Sequence, residues 1–206
     1  MLYNKNYKKG IIMPPKAKIT KEMIVEAAFN IVQKEGVEKV TARSISEQLN
    51  CSTQPVLYYF STVEDIKRLV YKKVDEYHTD YIMDTDTDYE NPLLAIGMNY
   101  IRFAIKESNL FRFLFQSNEF AGVGMLDLLE TEELLPIIAV LQNELDMSLE
   151  DTKDVFSTLF IFAHGYASLY ANNTMIYNEL SVMKTLEKVF YGAIYATKGV
   201  ENEENI

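Results

Sequence analysis

Cysteine, tryptophan, glycine and proline are all scarce in this sequence of 206 residues. It has one cysteine and no tryptophan. A single cysteine excludes an intramolecular disulfide, so nothing in the chain requires an oxidising compartment. The eight glycines and five prolines are too few for the many tight turns of an all-β protein. These scarcities favour an all-helical fold.

Long apolar runs are also missing. No charge-free stretch reaches the roughly 18 apolar residues that a membrane-spanning helix needs. The N-terminus carries several lysines, but its apolar run at residues 11–13 is too short for the core of a secretory signal. We therefore expect no membrane partner and a cytoplasmic location. Hydrophobic residues make up 48% of the chain and charged residues 24%, a balance typical of a globular protein.

The net charge of −10 is unevenly distributed along the chain. Residues 1–60 hold nine lysines and arginines against five acidic residues, a balance of +4. Residues 61–206 hold eleven lysines and arginines against twenty-five acidic residues, a balance of −14. This asymmetry predicts that only the front of the chain meets a polyanion. The alternative interpretation is a chance unevenness with a solvated, lysine-rich terminus.

Apolar residues recur at helical spacing through most of the chain. A first helix is predicted around residues 23–32, with Thr20 as its N-cap and Gly36 in the left-handed position after its last turn. A short second helix follows Thr41 and ends at Asn50, a residue type that tolerates left-handed backbone. A fourth helix is predicted to begin with a capping box at residues 61–65 and to run toward residue 83. Further helices are predicted at residues 92–106, 109–117, 126–145, 149–172 and 179–197.

The segment CSTQPVLYYF, residues 51–60, predicts the third helix, with Ser52 as N-cap and Pro55 in the first turn, where its missing N–H breaks no helical bond. Helical spacing predicts one buried face, made by Val56, Leu57 and Phe60. It predicts an opposite, exposed face, made by Thr53, Gln54, Tyr58 and Tyr59. Two short helices joined by a tight turn, the second presenting polar and aromatic side chains beside a basic segment, form a helix-turn-helix whose second helix fits a DNA major groove.

Residues 20–68 resemble the DNA-binding domain of the tetracycline-repressor (TetR) family. The likeness runs through AAFNIVQKEGVEKVTARSISEQLNCSTQPVLYYFSTVEDI. It is carried by the paired alanines of the first helix, by the glycine before the second helix, and by Thr41, Arg43, Ile45, Glu47, Ser52 and Phe60. The sequence departs from the family pattern at Asn50 and Gln54, where glycine is usual, at Tyr59, and at Val63, where a phosphate-contacting lysine is frequent. Beyond residue 68 the likeness is one of outline only.

The resemblance implies an all-α protein, with an N-terminal three-helix helix-turn-helix head and a larger C-terminal helical bundle for ligand binding and dimerisation. It implies four segments. These are a flexible basic arm at residues 1–15, a DNA-binding domain at 16–62, an effector-binding and dimerisation domain at 63–200, and an acidic tail at 201–206.

The same resemblance implies two sets of DNA contacts. Thr53, Gln54 and Tyr58 are the candidates for base edges, because glutamine pairs bidentately with adenine and a threonine methyl suits a thymine methyl. Phosphate contacts, which hold register without reading sequence, are implied for Thr41, Arg43, Ser52, Tyr59, Lys16, Lys18 and Lys67. The alternatives are ordinary surface aromatics for the two tyrosines and a solvated arm for the N-terminal lysines.

The implied function is a ligand-responsive transcriptional regulator that binds a palindromic double-stranded DNA operator as a homodimer and is released by a small-molecule effector. The family pattern is repression, and the residues leave activation open. Small residues in the last two helices allow close helix packing, as in the dimer bundle of the family: Gly165, Ala167, Gly192, Ala193 and Ala196. Aromatic side chains are candidates to line an effector pocket, with simple core packing as the alternative for each: Phe103, Phe111, Phe115, Phe160 and Tyr166.

Catalysis is not expected, because the sequence has no Ser-His-Asp spacing, no HExxH motif and no cysteine cluster. No cofactor is implied. The acidic segment at residues 84–92 imitates the first three ligand positions of a calcium loop but lacks the glycine and the final glutamate that such a loop needs. His78 and His164 are isolated in the sequence, so no metal site is expected. The alternative function is a dimeric helical ligand-binding or scaffold protein that has lost DNA binding.

Overall fold

The computed structural model describes residues 19–85, 91–116, 129–131, 134–173 and 175–203. Within these ranges the protein is all-helical and has no strand, which confirms the predicted all-α class. The helices are α1 (Lys21–Glu35), a 3-10 turn (Val37–Lys39), α2 (Ala42–Gln48), α3 (Gln54–Tyr59), α4 (Val63–Met83), α5 (Pro92–Lys106), α6 (Ser108–Phe115), α7 (Leu135–Leu145), α8 (Leu149–Asn172) and α9 (Glu179–Glu203). Among the described helices none combines the length and the apolar character needed to cross a bilayer.

Local side-chain capping explains where several helices begin. Threonine hydroxyls accept hydrogen bonds from backbone amides in the first turns of α1, α2 and α4, at Thr20, Thr41 and Thr62. In α2 and α4 the bond is returned, since the side chains of Ser44 and Asp65 accept from the backbone amides of the capping threonines. Such caps satisfy amides that have no partner inside the helix. The capping predictions for all three helices are confirmed.

In the described residues three connections use backbone conformations with positive φ, after α1, after α2 and, at Asp146, after α7. Gly36 after α1 has φ 94° and ψ 162°, a region open essentially to glycine alone. Its positive φ was predicted, but the left-handed helical conformation was not the one adopted. Asn50 after α2 has φ 50°, as predicted, and the amide of Cys51 donates to the carbonyl of Ser46 at 3.0 Å. This tight reversal brings α3 against α2.

Two predicted helix starts are wrong. Thr53, not Ser52, precedes α3 and has helical backbone angles, so its own carbonyl accepts from the amide of Leu57 at 3.1 Å, and no side chain caps the helix. The helix predicted at residues 126–145 begins only at Leu135, because residues 129–131 form a turn. Pro136 occupies the first turn of α7, and a longer helix would place that proline in the interior, where its missing N–H leaves a helical hydrogen bond unmade. Residues 126–128 lie outside the described ranges.

The core is centred on α5, which packs against α4, α6, α8 and α9. Met98, Ile101 and Phe103 of α5 have no exposed surface. The three N-terminal helices share a smaller apolar centre that includes Ile45 of α2 and Val56 of α3. Because α1 packs against α4 and α6 as well as against α2, both parts belong to one continuous core. The domain boundary at residue 62 therefore stays a prediction.

Candidate nucleic-acid interface

One face of α3 is exposed and the other is anchored in the core. Thr53, Gln54 and Tyr58 are exposed, with 82% of the Tyr58 surface accessible. Val56 and Phe60 anchor the opposite face, with only 1% and 6% of their surfaces exposed. The prediction that Phe60 is buried and that Gln54 and Tyr58 point outward agrees with this arrangement. The exposed face carries hydroxyl, amide and phenol groups on a helix whose position is set by α1 and α2.

The two side chains that flank this buried line are exchanged relative to the prediction. Leu57 was predicted to be buried but is 62% exposed. Tyr59 was predicted to be exposed but is half-buried, packed against the core with its ring edge-on to Tyr58 at 5.1 Å. Both residues lie about 80° from the centre of the Val56–Phe60 line, at about 100° per residue. Helical spacing therefore does not distinguish them, and the neighbouring helices decide which one is covered.

Thr41 and Arg43, two of the predicted phosphate contacts, lie at the start of α2. The hydroxyl of Thr41 is exposed and bonds to the hydroxyl of Ser44 at 3.0 Å. The Arg43 side chain is 85% exposed and its Nε donates to the Glu47 carboxylate at 2.8 Å, a bond that raises the pKa of Arg43. Exposed ion pairs of this kind contribute little to stability. A phosphate can therefore replace Glu47 as the partner of Arg43.

The remaining predicted phosphate contacts are Ser52, Lys67, Lys16 and Lys18. Ser52 is exposed just before α3. Lys67 lies on α4, and its amino group is paired with the Glu64 carboxylate at 2.9 Å. Lys16 and Lys18 lie outside the described residues.

A groove of about 420 Å³ beside Tyr59 contains cations that the sequence analysis missed. Lys21 of α1 and Arg68 and Lys72 of α4 line it, with Asp65 as the acidic neighbour. The amino group of Lys21 lies 5.3 Å from the centre of the Phe60 ring, and the Arg68 side chain is 74% exposed although it bonds to Asp65 at 3.0 Å. The four-residue spacing of Arg68 and Lys72 was visible in the sequence, but the approach of Lys21 from α1 was not.

Four of the five predicted pocket side chains pack into one aromatic cluster. The Tyr100 ring lies 5.9, 5.5 and 5.8 Å from the rings of Phe111, Phe115 and Phe160. Phe103 joins this cluster through His78, with 4.8 Å between ring centres. The fifth residue is elsewhere: Tyr166 lies in a row with Phe162 and Tyr170 on α8.

Both histidines belong to this aromatic cluster. His78 is 6% exposed, and its burial lowers the pKa to about 4. Its Nε2 has no hydrogen-bond partner among the described residues. His164 has Nδ1 2.8 Å from the hydroxyl of Tyr100. Burial lowers the pKa of His164 and raises the pKa of Tyr100, so all three groups are neutral at pH 7. In the described part of the chain no three His, Cys, Asp or Glu side chains are placed to hold a metal ion.

A second groove, of about 510 Å³, lies near the end of α4 and contains none of the predicted pocket residues. Arg102 of α5 bonds there to the Glu179 carboxylate and to the amide oxygen of Asn99. The Asn99 amide group in turn donates to the carbonyl of Asp84 at 2.8 Å. This polar network lines a groove that is separate from the aromatic cluster, and helical spacing alone does not reveal it.

The outer surface of α8 and α9 carries exposed apolar side chains. Ile161 and Leu169 of α8 are 57% and 50% exposed, and Tyr191 and Tyr195 of α9 are 56% and 82% exposed. Between them lie Gly165 and Gly192, where an added Cβ would meet nothing within 4 Å among the described residues. Of the predicted small contact residues, Ala196 is exposed and Ala193 half-buried, but Ala167 is fully buried inside the chain.

No protein-family model matches this chain, and comparison with curated proteins also finds no match.

Proposed function

We propose that this chain is a ligand-responsive transcriptional regulator of the TetR type, which binds a palindromic double-stranded DNA operator as a homodimer. The observation that carries the proposal is the exposed face of α3. Thr53, Gln54 and Tyr58 are exposed there, while Val56 and Phe60 pack into the core and hold the helix in place. A major groove about 12 Å wide admits a helix, and a glutamine amide matches the donor and acceptor of adenine.

Cations around α3 support the proposal. These cations lie on helices next to α3: Arg43 on α2, Lys21 on α1, and Arg68 and Lys72 on α4. Such side chains contact phosphates and hold the register of the helix in the groove. We keep Lys16, Lys18, Ser52 and Thr41 as further phosphate contacts. The acidic remainder of the chain repels DNA and restricts binding to this end of the molecule.

Dimerisation follows from the amount of DNA that a single helix reads. One recognition helix contacts too few base pairs for selectivity in a genome, whereas two heads about 34 Å apart read a palindrome. The exposed apolar surface of α8 and α9 is the face that we assign to the second copy. Gly165 and Gly192 lie within it and allow the backbones of the two copies to approach closely.

Release of DNA is assigned to an effector bound among helices α4 to α8. α4 is the connection, since it carries Arg68 beside α3 at one end and His78 in the aromatic cluster further along. A ligand that separates the rings around Tyr100 tilts α4 and changes the spacing of the two heads. Coupling of this kind is typically about 1–3 kcal/mol, or roughly 5- to 150-fold in affinity.

The proposal is tested by measuring binding to the DNA upstream of the reading frame of this protein as a function of salt. We expect tight binding whose logarithm falls linearly with the logarithm of salt concentration. A scrambled duplex of equal length is the control and should bind more weakly, with a similar salt slope. Absence of binding at about 50 mM salt, where phosphate contacts are strong, would contradict the proposal.

One observation favours the second candidate, a dimeric helical ligand-binding or scaffold protein. Val63 stands where a phosphate-contacting lysine is frequent in the family, and the next cations on α4, Lys67 and Arg68, are paired with Glu64 and Asp65. These pairs reduce the positive charge beside α3. The same salt series separates the two candidates, because a scaffold protein leaves both duplexes unbound. Neither candidate requires catalysis or a cofactor.

A further inference from the structure

Leu57 is an exposed leucine in the middle of the face that we assign to DNA. It lies three residues after Gln54 and directly before Tyr58, and 62% of its surface is accessible. Residues three and four apart are neighbours on a helix surface, so Leu57 adjoins both Gln54 and Thr53. The exposed face of α3 is therefore not purely polar. It combines an amide and a hydroxyl with a branched apolar side chain.

A single exposed leucine is common on protein surfaces and needs no explanation by itself. Leu57 differs because it adjoins Gln54 and continues into Tyr58, which is 82% exposed. Arg43 on the adjoining α2 is 85% exposed, and Lys21, Arg68 and Lys72 line the groove beside Tyr59. Cations on the helices next to α3, together with an exposed apolar side chain on α3, match a polyanion that also offers an apolar group. The major groove of DNA provides both.

The chemistry of the major groove restricts what Leu57 can face. The thymine C5-methyl is the apolar group on the base-pair edges there, while the other positions offer donors and acceptors. A leucine pressed against a donor or acceptor removes water from it without replacing the lost hydrogen bond, which is unfavourable. We propose that Leu57 is a specificity-determining residue that reads a thymine methyl beside the base read by Gln54. This inference rests on the proposed function.

The size of the effect follows from the area involved. Burial of one methyl group against a leucine side chain changes affinity by about fourfold. In a palindrome the contact occurs once in each half-site, so removal of both methyls should weaken binding about 16-fold.

The test begins with selection of binding sites from a pool of random duplexes by the full-length protein. In the selected site each thymidine is then replaced singly by deoxyuridine, which removes only the C5-methyl. We expect the wild type to lose about fourfold in affinity at the position in each half-site that Leu57 contacts, apart from any thymine methyl that Thr53 contacts. Leu57→Ala should bind the thymidine duplex more weakly and should lose nothing further at that position.

Two variants act as controls. Thr53→Ser removes the other methyl group on this face and should keep the deoxyuridine effect at the Leu57 position. Ile176→Ala truncates a side chain that is 95% exposed in the connection between α8 and α9, and should behave as the wild type throughout. Circular dichroism checks that all variants are folded.

The outcomes distinguish the role of Leu57 from the proposed regulator function. If no deoxyuridine replacement weakens binding, Leu57 does not read a thymine methyl. The same holds if the sensitive position stays sensitive in Leu57→Ala. Either result overturns the role of Leu57 and leaves the regulator proposal intact. If Thr53→Ser, and not Leu57→Ala, abolishes the deoxyuridine effect, Thr53 makes the methyl contact, and the inference about Leu57 is overturned. Failure to select any duplex at low salt overturns the proposed function and the inference together.

Discussion

The buried imidazole of His78 predicts that the protein loses stability in mild acid. The pKa of His78 is lowered to about 4 by burial, against 6.5 for a solvated histidine. Between these two values the unfolded chain binds the proton and the folded chain does not, so acid favours unfolding. The contribution of His78 to stability is therefore fully present above pH 6.5 and is lost as the pH falls toward 4. At about 1.4 kcal/mol per pKa unit, the whole loss is about 3 kcal/mol.

Replacement of His78 by phenylalanine isolates this contribution. The ring lies among Tyr100, Phe103 and Phe115, at 5.4, 4.8 and 5.2 Å between ring centres, so phenylalanine suits the surroundings. Removing the unpartnered Nε2 relieves a cost of about 1–3 kcal/mol, whereas the slightly larger ring adds strain of about 1–3 kcal/mol. Both effects are independent of pH. They move the stability curve up or down without changing its slope.

The measurement is urea unfolding at pH 7.5 and pH 4.5 at one fixed protein concentration, since the stability of a dimer depends on concentration. Wild type should lose about 2–3 kcal/mol more than His78→Phe between these pH values. Other titrating groups, including His164, are common to both proteins and cancel in the comparison. Parallel curves for the two proteins, or a His78 pKa near 6.5 in an NMR titration, would show that burial does not lower the pKa of His78.

The other predictions concern the candidate interface and the dimer. Arg43→Ala should weaken binding on every duplex and reduce the salt slope by about one. Gln54→Ala should relax preference at one base pair at a cost of about 1–3 kcal/mol. Equal losses on all sequences for both variants, measured by fluorescence anisotropy, would contradict their roles. Phe60→Ala should destabilise the protein by about 3–5 kcal/mol in urea unfolding, and a loss under 1 kcal/mol would mean that Phe60 does not anchor α3. Gly165→Leu should leave the helical content unchanged, since an added Cβ meets nothing within 4 Å among the described residues. The variant should be monomeric in light scattering at micromolar concentration. A wild type that is itself monomeric would refute the dimer.

Local features of the sequence were enough to predict most of the fold. The capping threonines, Thr20, Thr41 and Thr62, act on amides within their own first turns. Asn50 takes its positive φ within a single turn. These interactions reach only three or four residues along the chain, so the sequence contains all their participants. Two helices with clear apolar periodicity, α5 and α8, were predicted with the bounds that the structure has.

The candidate site was predicted only in part, because its composition depends on contacts between distant segments. Lys21 meets Arg68 and Lys72 because α1 packs against α4, and nothing near Lys21 in the sequence indicates this. Tyr166 was separated from the other aromatic pocket candidates because it lies on another side of α8 from Phe160. A helical pattern gives the angle at which each side chain leaves its helix, but it does not say which other element lies in that direction.

Helical spacing and side-chain polarity were enough to predict that α3 exists, that Val56 and Phe60 face inward, and that Gln54 and Tyr58 face outward. They did not distinguish Leu57 from Tyr59, and packing between helices made that choice. The two side chains flank the buried line at equal angles, and the packing of α3 against the rest of the protein covers Tyr59 and leaves Leu57 open. Burial is a property of two surfaces, and the sequence of one helix describes only one of them.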